Sequence, residues 1–359
     1  MFKWNRKELE NHLDVLLKYD FNNVPIDYIE SYKPKVPSKF YKYRTFKNMH
    51  LKAIEEDYIW LSLAKDFPDK SDSTINYSFK KQFKNIETVI KELMPELIFN
   101  EIKKYLTKGG KVNPSVFKNI TLEGALDWMR SHTFSSGRFN YKKTKSYMRS
   151  MKASEKQINE FEKKTKEMMS KENIKKIGEK LLDDLSLMND RFREMYYIHS
   201  FSSVKENSFL WDTYTNNDEG FCIEYDIADI DKEIIQMLPI LYTPTEDIKM
   251  DQLIKVAIMN HQNKVNKMDL HELSLKLFSH LLTKKPDYNT ESEWRLIVNK
   301  SKHESNEYYF PFISAIYLGS NMKEHNKRRI INIATKKGIS VYQRERSKFN
   351  TDYTFTKVL

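Results

Sequence analysis

An α+β body interrupted by a large helical insertion is the fold class this sequence predicts, and three observations predict it. Short strand-like runs lie near both ends of the chain, at residues 40–44 and 58–63 early and from Tyr196 onward late. Between about residues 79 and 196 apolar residues recur at helical spacing, with Ile86, Val89, Ile90, Leu93, Leu97 and Ile98 on one face and Ile158, Phe161 and Met168 on another. The 359 residues include only 8 glycines and 10 prolines, against a repeat array or a long flexible linker, while 40% hydrophobic and 13% aromatic content supplies a core. The expected division is 1–37 as an N-terminal helix and connection, 38–78 as the first strands of the body, 79–195 as the helical insertion and 196–359 as the rest of the body.

In chain order, residues 8–18 set Leu9, Leu13, Leu16 and Leu17 on one face of an amphipathic helix. Pro34 and Pro37 mark a connection into the strand at 40–44, a short helix spans about 47–55, a second strand follows at 58–63, and a loop at 66–72. Gly109, Gly110 and the turn Ser135, Ser136, Gly137 divide the insertion into several helices. Strands return at 196–201, 220–225 and 238–242, and a helical stretch covers roughly 246–282. The last part alternates strands at 294–298, 308–310, 315–318, 339–343 and 353–358 around a helix at 323–336.

The formal net charge is +11, and residues 140–180 hold 13 Lys or Arg against 6 Glu. That stretch is either a basic surface for nucleic acid, with affinity falling as salt rises, or a solvated helical face. The start, Met1 to Arg6, runs into charge without the apolar core of a signal peptide, and no run approaches ~18 apolar residues, so a cytoplasmic protein with no membrane partner is expected. The single cysteine, Cys222, excludes an internal disulfide and a multi-cysteine zinc site and reads as a buried structural thiol. Histidines at 12, 50, 132, 199, 261, 271, 280, 303 and 325 lack ligand spacing, so no metal site is expected. There is no glycine-rich phosphate loop, Gly-x-Ser-x-Gly elbow or His-Glu-x-x-His motif.

Three polar segments carry the functional signal: Tyr41-Lys42-Tyr43-Arg44, His199-Ser200-Phe201-Ser202-Ser203 and Glu291-Ser292-Glu293-Trp294-Arg295. An arginine, a serine-bearing strand and a Glu-x-Glu pair, in that order, are what a pocket needs to hold a dinucleotide phosphate and a reactive ribose. In an extended strand the two carboxylates share a side. Each segment has a plainer alternative. Arg44 reads equally as a strand-end arginine paired with an acid, Ser200 and Ser202 as the solvent side of a strand, and Glu293 with Arg295 as a surface ion pair worth at most ~1 kcal/mol. Trp211 and Tyr214 share a helix face, the first as core and the second as a pocket wall. His199 is expected as a satisfied core histidine.

Tyr43, Arg44 and Phe46, the segments Trp60-Leu61-Ser62 and Ser200-Phe201-Ser202, and Leu210, Trp211 and Tyr214 are joined by EGFCIEYD at 219–226, Glu293-Trp294-Arg295 and Ile316-Tyr317-Leu318-Gly319. Together they resemble the bacterial domain-of-unknown-function family two-nine-seven-one over about residues 38–345. Where that family carries an Asn-Asp-Pro-type loop, this chain has Phe67-Pro68-Asp69. The strand-helix-strand opening and the order arginine, serine, glutamate are more distantly similar to the ADP-ribosyltransferase fold, a split β-sandwich that binds NAD between its two sheets. This resemblance implies that Arg44 contacts the NAD phosphate or ribose, with Tyr43, Ser200 and Tyr214 around it, and that Ser202 or Ser200 orients Glu293. It implies further that Glu293 holds the nicotinamide-ribose hydroxyl and stabilises an oxocarbenium-like transition state, while Glu291 activates an acceptor or water. The activity implied is that of an NAD-dependent ADP-ribosyltransferase or NAD glycohydrolase of the kind used by toxins and in phage defence, with a nucleic acid or protein acceptor. The alternative is a non-catalytic nucleotide-sensing module whose helical insertion addresses a partner.

Overall fold

The alternation of Phe40, Lys42 and Arg44 with Tyr41 and Tyr43 gives β1 (Lys39–Arg44) two different faces in the computed structural model. The structure describes residues 4–19, 23–69, 72–73, 140–150, 153–168, 170–230, 233–243, 267–346 and 353–359. Its helices are α1 (Arg6–Lys18), α2 (Ile26–Tyr32), α3 (Asn48–Glu55), α4 (Tyr141–Ser150), α5 (Glu155–Met168), α6 (Lys171–Met195), α7 (Ser208–Tyr214), α8 (Lys267–Leu281) and α9 (Glu324–Lys337). The early strands after β1 are β2 (Tyr58–Trp60) and β3 (Ser62–Leu63). The middle ones are β4 (Tyr196–Ser202), β5 (Phe221–Asp226), β6 (Met237–Pro239), β7 (Leu241–Tyr242), β8 (Thr283–Lys284) and β9 (Glu293–Asn299). The last are β10 (Glu307–Tyr309), β11 (Ile313–Leu318), β12 (Ser340–Arg346) and β13 (Tyr353–Lys357). The chain divides into two units, one of Met1–Asn76, Asn189–Ile248 and Met259–Leu359, the other of Tyr77–Met188 and Lys249–Ile258.

The first unit is α+β, built on a nine-stranded mixed sheet in the order β13-β12-β11-β5-β1-β4-β9-β6, with β3 beside β4. β5 pairs antiparallel along all of β1, from Lys39 opposite Asp226 to Arg44 opposite Phe221. The close start of this pairing requires glycine at 220, where a Cβ would stand 2.1 Å from the Arg44 carbonyl oxygen. On its other side β1 meets β4 at one residue pair only, Tyr41 opposite Ser202. β4 is paired with β9 along its whole length, from Tyr196 opposite Asn299 to Ser202 opposite Glu293. The sheet is therefore split between β1 and β4, and this split positions the site described below.

Tyr41, Tyr43, Cys222, Ala315 and Tyr317 form the core on one face of β1, closed by Leu210 and Trp211 of α7. Burial pushes the Cys222 thiol well above its ordinary range, as suits a structural residue. At the N-terminus Asn5 and Glu8 form a capping box for α1, and Leu9, Leu13 and Leu16 are buried, each worth ~1.5–3 kcal/mol. His12 of the same helix stacks on Tyr32 with ring centroids 3.8 Å apart and bonds to the Tyr28 hydroxyl (2.7 Å) and the Ile235 carbonyl (3.0 Å). Burial lowers its pKa to about 4.

Several elements differ from expectation. Residues 58–63 form two strands, because Leu61 donates its N–H to Asn306 (2.7 Å) and the chain changes partner from β10 to β4. Residues 238–242 likewise divide, β6 joining the large sheet and β7 pairing in parallel with β8. A short helix, α2, starts after Pro25 inside the expected connection. In the second unit Met148 of α4 and Ile158 and Phe161 of α5 are buried, with Lys145 and Glu162 ion-paired between the two helices. Residues 74–139 and 244–266, including the turns expected at Gly109, Gly110 and Ser135 to Gly137, lie outside the described residues. Among the described residues no helix is long and apolar enough to cross a membrane.

Candidate functional site

A cavity of about 600 Å³ opens where β1 and β4 part. Tyr43, Arg44, Ser200, Ser202, Tyr214, Glu291 and Glu293, the residues expected from the sequence, all line it. So do Lys42, Asp72, Lys284 and the segment Phe67, Pro68, Asp69.

One end is a network of buried charge. Glu291 closes a 3₁₀ turn (Pro286–Glu291), Glu293 begins β9, and Ser292 between them is left-handed, with φ 45° and ψ 47°. A non-glycine residue there costs about 1–3 kcal/mol, a strain typical of functional sites. The two carboxylates are thus brought together by a turn, not by the extended strand the sequence predicts. Both converge on Lys284 of β8, whose Nζ is 2.9 Å from Glu291 Oε2 and 2.5 Å from Glu293 Oε2. Arg295 donates Nε to Glu293 Oε1 (2.7 Å) and Nη2 to both oxygens of Asp72 (2.9 and 2.7 Å). Its Nη1 donates to Ser73 Oγ (2.8 Å) and the Leu281 carbonyl (2.5 Å). The Tyr242 hydroxyl accepts the Glu293 N–H at 2.7 Å, and the Tyr214 hydroxyl donates to Glu291 Oε1 at 3.1 Å. Glu293 and Arg295 are 5% and 0% exposed, so their pairing is buried and is not the surface ion pair that was the alternative.

Burial alone favours a neutral Glu293, but Arg295 and Lys284 outweigh it and hold its pKa at about 2. Burial likewise opposes the Lys284 and Arg295 charges, and the surrounding carboxylates overcome it, raising both above their ordinary values. The network of Asp72, Glu291, Glu293, Lys284 and Arg295 has three acids and two bases, and carries a net charge of about −1 when all are ionised.

The other end holds two basic residues. Lys42 and Arg44 lie two apart on one face of β1, both half-buried, and among the described residues no carboxylate is within ion-pair distance of either. Lys42 Nζ donates to the Ser200 carbonyl oxygen. Burial lowers the Arg44 pKa, and burial together with the Arg44 charge holds Lys42 well below its ordinary range. His199 behind them donates Nδ1–H to the Trp60 carbonyl (2.8 Å), while its buried Nε2 has no hydrogen-bond partner. It is a core histidine satisfied at one nitrogen only, and burial, then Lys42 and Arg44, keep it neutral.

The remaining expected residues divide by role. Ser202 Oγ donates to the Glu291 carbonyl (2.8 Å) and accepts the Val204 N–H (3.2 Å), so it holds the glutamate segment through the main chain and touches no carboxylate. Ser200 stands opposite Arg295 and half-buried at the cavity wall. The Tyr43 hydroxyl donates to the Val204 carbonyl (2.8 Å) and its ring meets Trp211 edge-on at 5.4 Å, which makes it the floor between cavity and core. Trp211 is fully buried, and Tyr214 is 45% exposed. Sequence reasoning missed Lys42, Asp72, Tyr242 and Lys284. Among the described residues no group of three or more His, Cys, Asp or Glu is placed to hold a metal ion.

A family model described as "Protein of unknown function (DUF2971)" matches residues 210–296. That stretch runs from α7 into β9 and supplies Tyr214, Lys284, Glu291, Glu293 and Arg295, the carboxylate end of the cavity, and is narrower than the 38–345 of the sequence resemblance. No curated protein and no solved structure matches the chain.

Proposed function

We propose that the cavity binds NAD and cleaves its nicotinamide–ribose bond, passing the ADP-ribosyl group to a macromolecular acceptor or to water. The observation that carries this reading is the cavity's polarity: at one end the Arg44 guanidinium, with no carboxylate in ion-pair distance among the described residues, and at the other a carboxylate network of net negative charge. NAD is itself divided this way, with an anionic pyrophosphate and a cationic nicotinamide-ribose. The volume suits a ligand of this size class.

In this reading the Arg44 fork receives phosphate oxygens, since among the described residues no carboxylate stands in ion-pair distance of it. Glu293 acts as a fixed negative charge. With a pKa of about 2 it is ionised at every physiological pH, so it donates no proton and instead stabilises the positive charge that develops at the ribose as nicotinamide leaves. Glu291, held by Lys284 and Tyr214, faces the same space and takes the proton of the attacking acceptor. Measuring nicotinamide release from NAD tests the reading. Release that requires Glu293 supports it; no release and no NAD binding in the presence of cellular extract overturns it.

A second reading is favoured by one observation: both oxygens of Glu293 are already engaged, by Arg295 and Lys284. A carboxylate so paired suits a nucleotide sensor that binds without chemistry. NAD binding with no nicotinamide release is the result that selects it. In the basic segment 140–180, Lys145, Arg149, Lys166, Lys175 and Lys176 stand in ion pairs with glutamates of the same segment. That pairing favours the solvated face over nucleic-acid binding, leaving the acceptor to be found by the same assay.

A further inference from the structure

The two lysines of the cavity are in opposite states. Lys284 is locked among three carboxylates, Glu293, Glu291 and Asp72, at 2.5, 2.9 and 3.5 Å. Among the described residues the Lys42 amine makes one hydrogen bond, to the Ser200 carbonyl, and it lies beside Arg44 on the same face of β1. Titratable groups face Lys42 from every side: Arg44 on its own strand, His199 of β4, His50 of α3, Lys284 of β8, and Glu291 and Glu293 beyond. None of the carboxylates pairs with it. Two neighbouring cations in a half-buried site repel, and only lysine has a proton it can lose, because guanidinium stays charged in proteins.

We propose that Lys42 presents a reactive amine that captures phosphate-bearing aldehydes as an imine, with Arg44 holding the phosphate. A neutral amine keeps one N–H on the Ser200 carbonyl and turns its lone pair to the cavity. The nitrogen attacks the aldehyde carbon, the C–N bond forms, and the carbonyl oxygen leaves as water with both amine protons, giving a neutral imine with no redox change. The direction of the Lys42 pKa agrees with the geometry, since burial and the Arg44 charge both favour the unprotonated form. The ligand class is a small aldehyde carrying a phosphate or pyrophosphate. NAD has no free aldehyde, so this site chemistry stands or falls separately from the proposed NAD reaction.

The test is to expose the intact protein at neutral pH to low concentrations of pyridoxal 5′-phosphate, reduce with borohydride, and map the modified lysines by mass spectrometry. The expected result is labelling at Lys42 at least ~10-fold faster than at Lys284 or the surface lysines, with the preference lost for pyridoxal, which lacks the phosphate. Inorganic pyrophosphate should compete, and Arg44→Gln should reduce Lys42 labelling by a similar ~10-fold factor. The two-probe comparison on unaltered protein needs no variant to fold. Labelling of Lys42 no faster than the bulk lysines, or equal labelling by the two aldehydes, overturns the proposal.

Discussion

Two arginines belong to this site and are built for opposite tasks: Arg44 lines the cavity, and Arg295 lies behind the carboxylate Glu293 that lines it. Arg295 is fully buried and spends every nitrogen on protein groups: Glu293, Asp72, Ser73 and the Leu281 carbonyl. Arg44 is half-buried and has no acid partner among the described residues. The difference teaches that a cationic side chain in a pocket is not by itself a ligand site. What matters is whether the fold has already satisfied it.

The largest effect that sharpens this comparison is on stability. Arg295→Met leaves Glu293 and Asp72 buried with a missing counter-charge, and should cost about 3–5 kcal/mol in chemical denaturation. Arg44→Ala should cost less than ~1 kcal/mol, because it breaks no protein ion pair. Equal losses for the two variants would erase the distinction.

Catalysis is the next lever. Glu293→Gln keeps the shape and removes the charge, so nicotinamide release should fall by ~100-fold or more while NAD binding changes far less. Glu291→Gln should spare hydrolysis of NAD and lower transfer to an acceptor. A Glu293→Gln variant with undiminished release would move the chemistry elsewhere in the cavity.

Acid separates the two kinds of burial as well. His12 has a folded-state pKa of about 4 against 6.5 unfolded, so the unfolded chain takes up the proton first. Stability should therefore decline as pH falls from 6.5 through about 4, by up to ~3 kcal/mol from this residue, with His199 acting in the same direction. Glu293 behaves differently: its contribution is full above 4.5 and is lost only as pH falls through about 2. His12→Gln should flatten denaturation midpoints between pH 6.5 and about 4 and leave the lower limb in place. An unchanged slope in the upper window would show that other groups titrate there.

How far the sequence foretold this site follows from the same contrast. The strands bearing Arg44, Ser202 and Glu293 were legible because period-two alternation and β-prone residues mark them locally. Lys42 carried a signal that went unused, since residues two apart in a strand share a face and Lys42 therefore accompanies Arg44. Lys284 carried none: Thr283-Lys284-Lys285 looks like any surface run in a lysine-rich chain, and its role comes from a two-residue parallel pairing with Leu241 and Tyr242. The left-handed Ser292 was equally hidden, because Glu-Ser-Glu reads as an extended triplet and only the 3₁₀ turn before it forces the reversal. Asp72 reaches Arg295 from more than two hundred residues away, a distance over which periodicity says nothing.

The central claim is that Arg44, with no acid partner among the described residues, receives the pyrophosphate of NAD. Calorimetric titration of the purified protein with NAD, in parallel with the Arg44→Ala variant at low and moderate salt, tests it most directly. The predicted result is saturable binding by the unaltered protein, weakened ~10–100-fold by Arg44→Ala and reduced as salt rises, with the variant still folded. No heat of binding with the unaltered protein, or equal affinity in the two, contradicts the account.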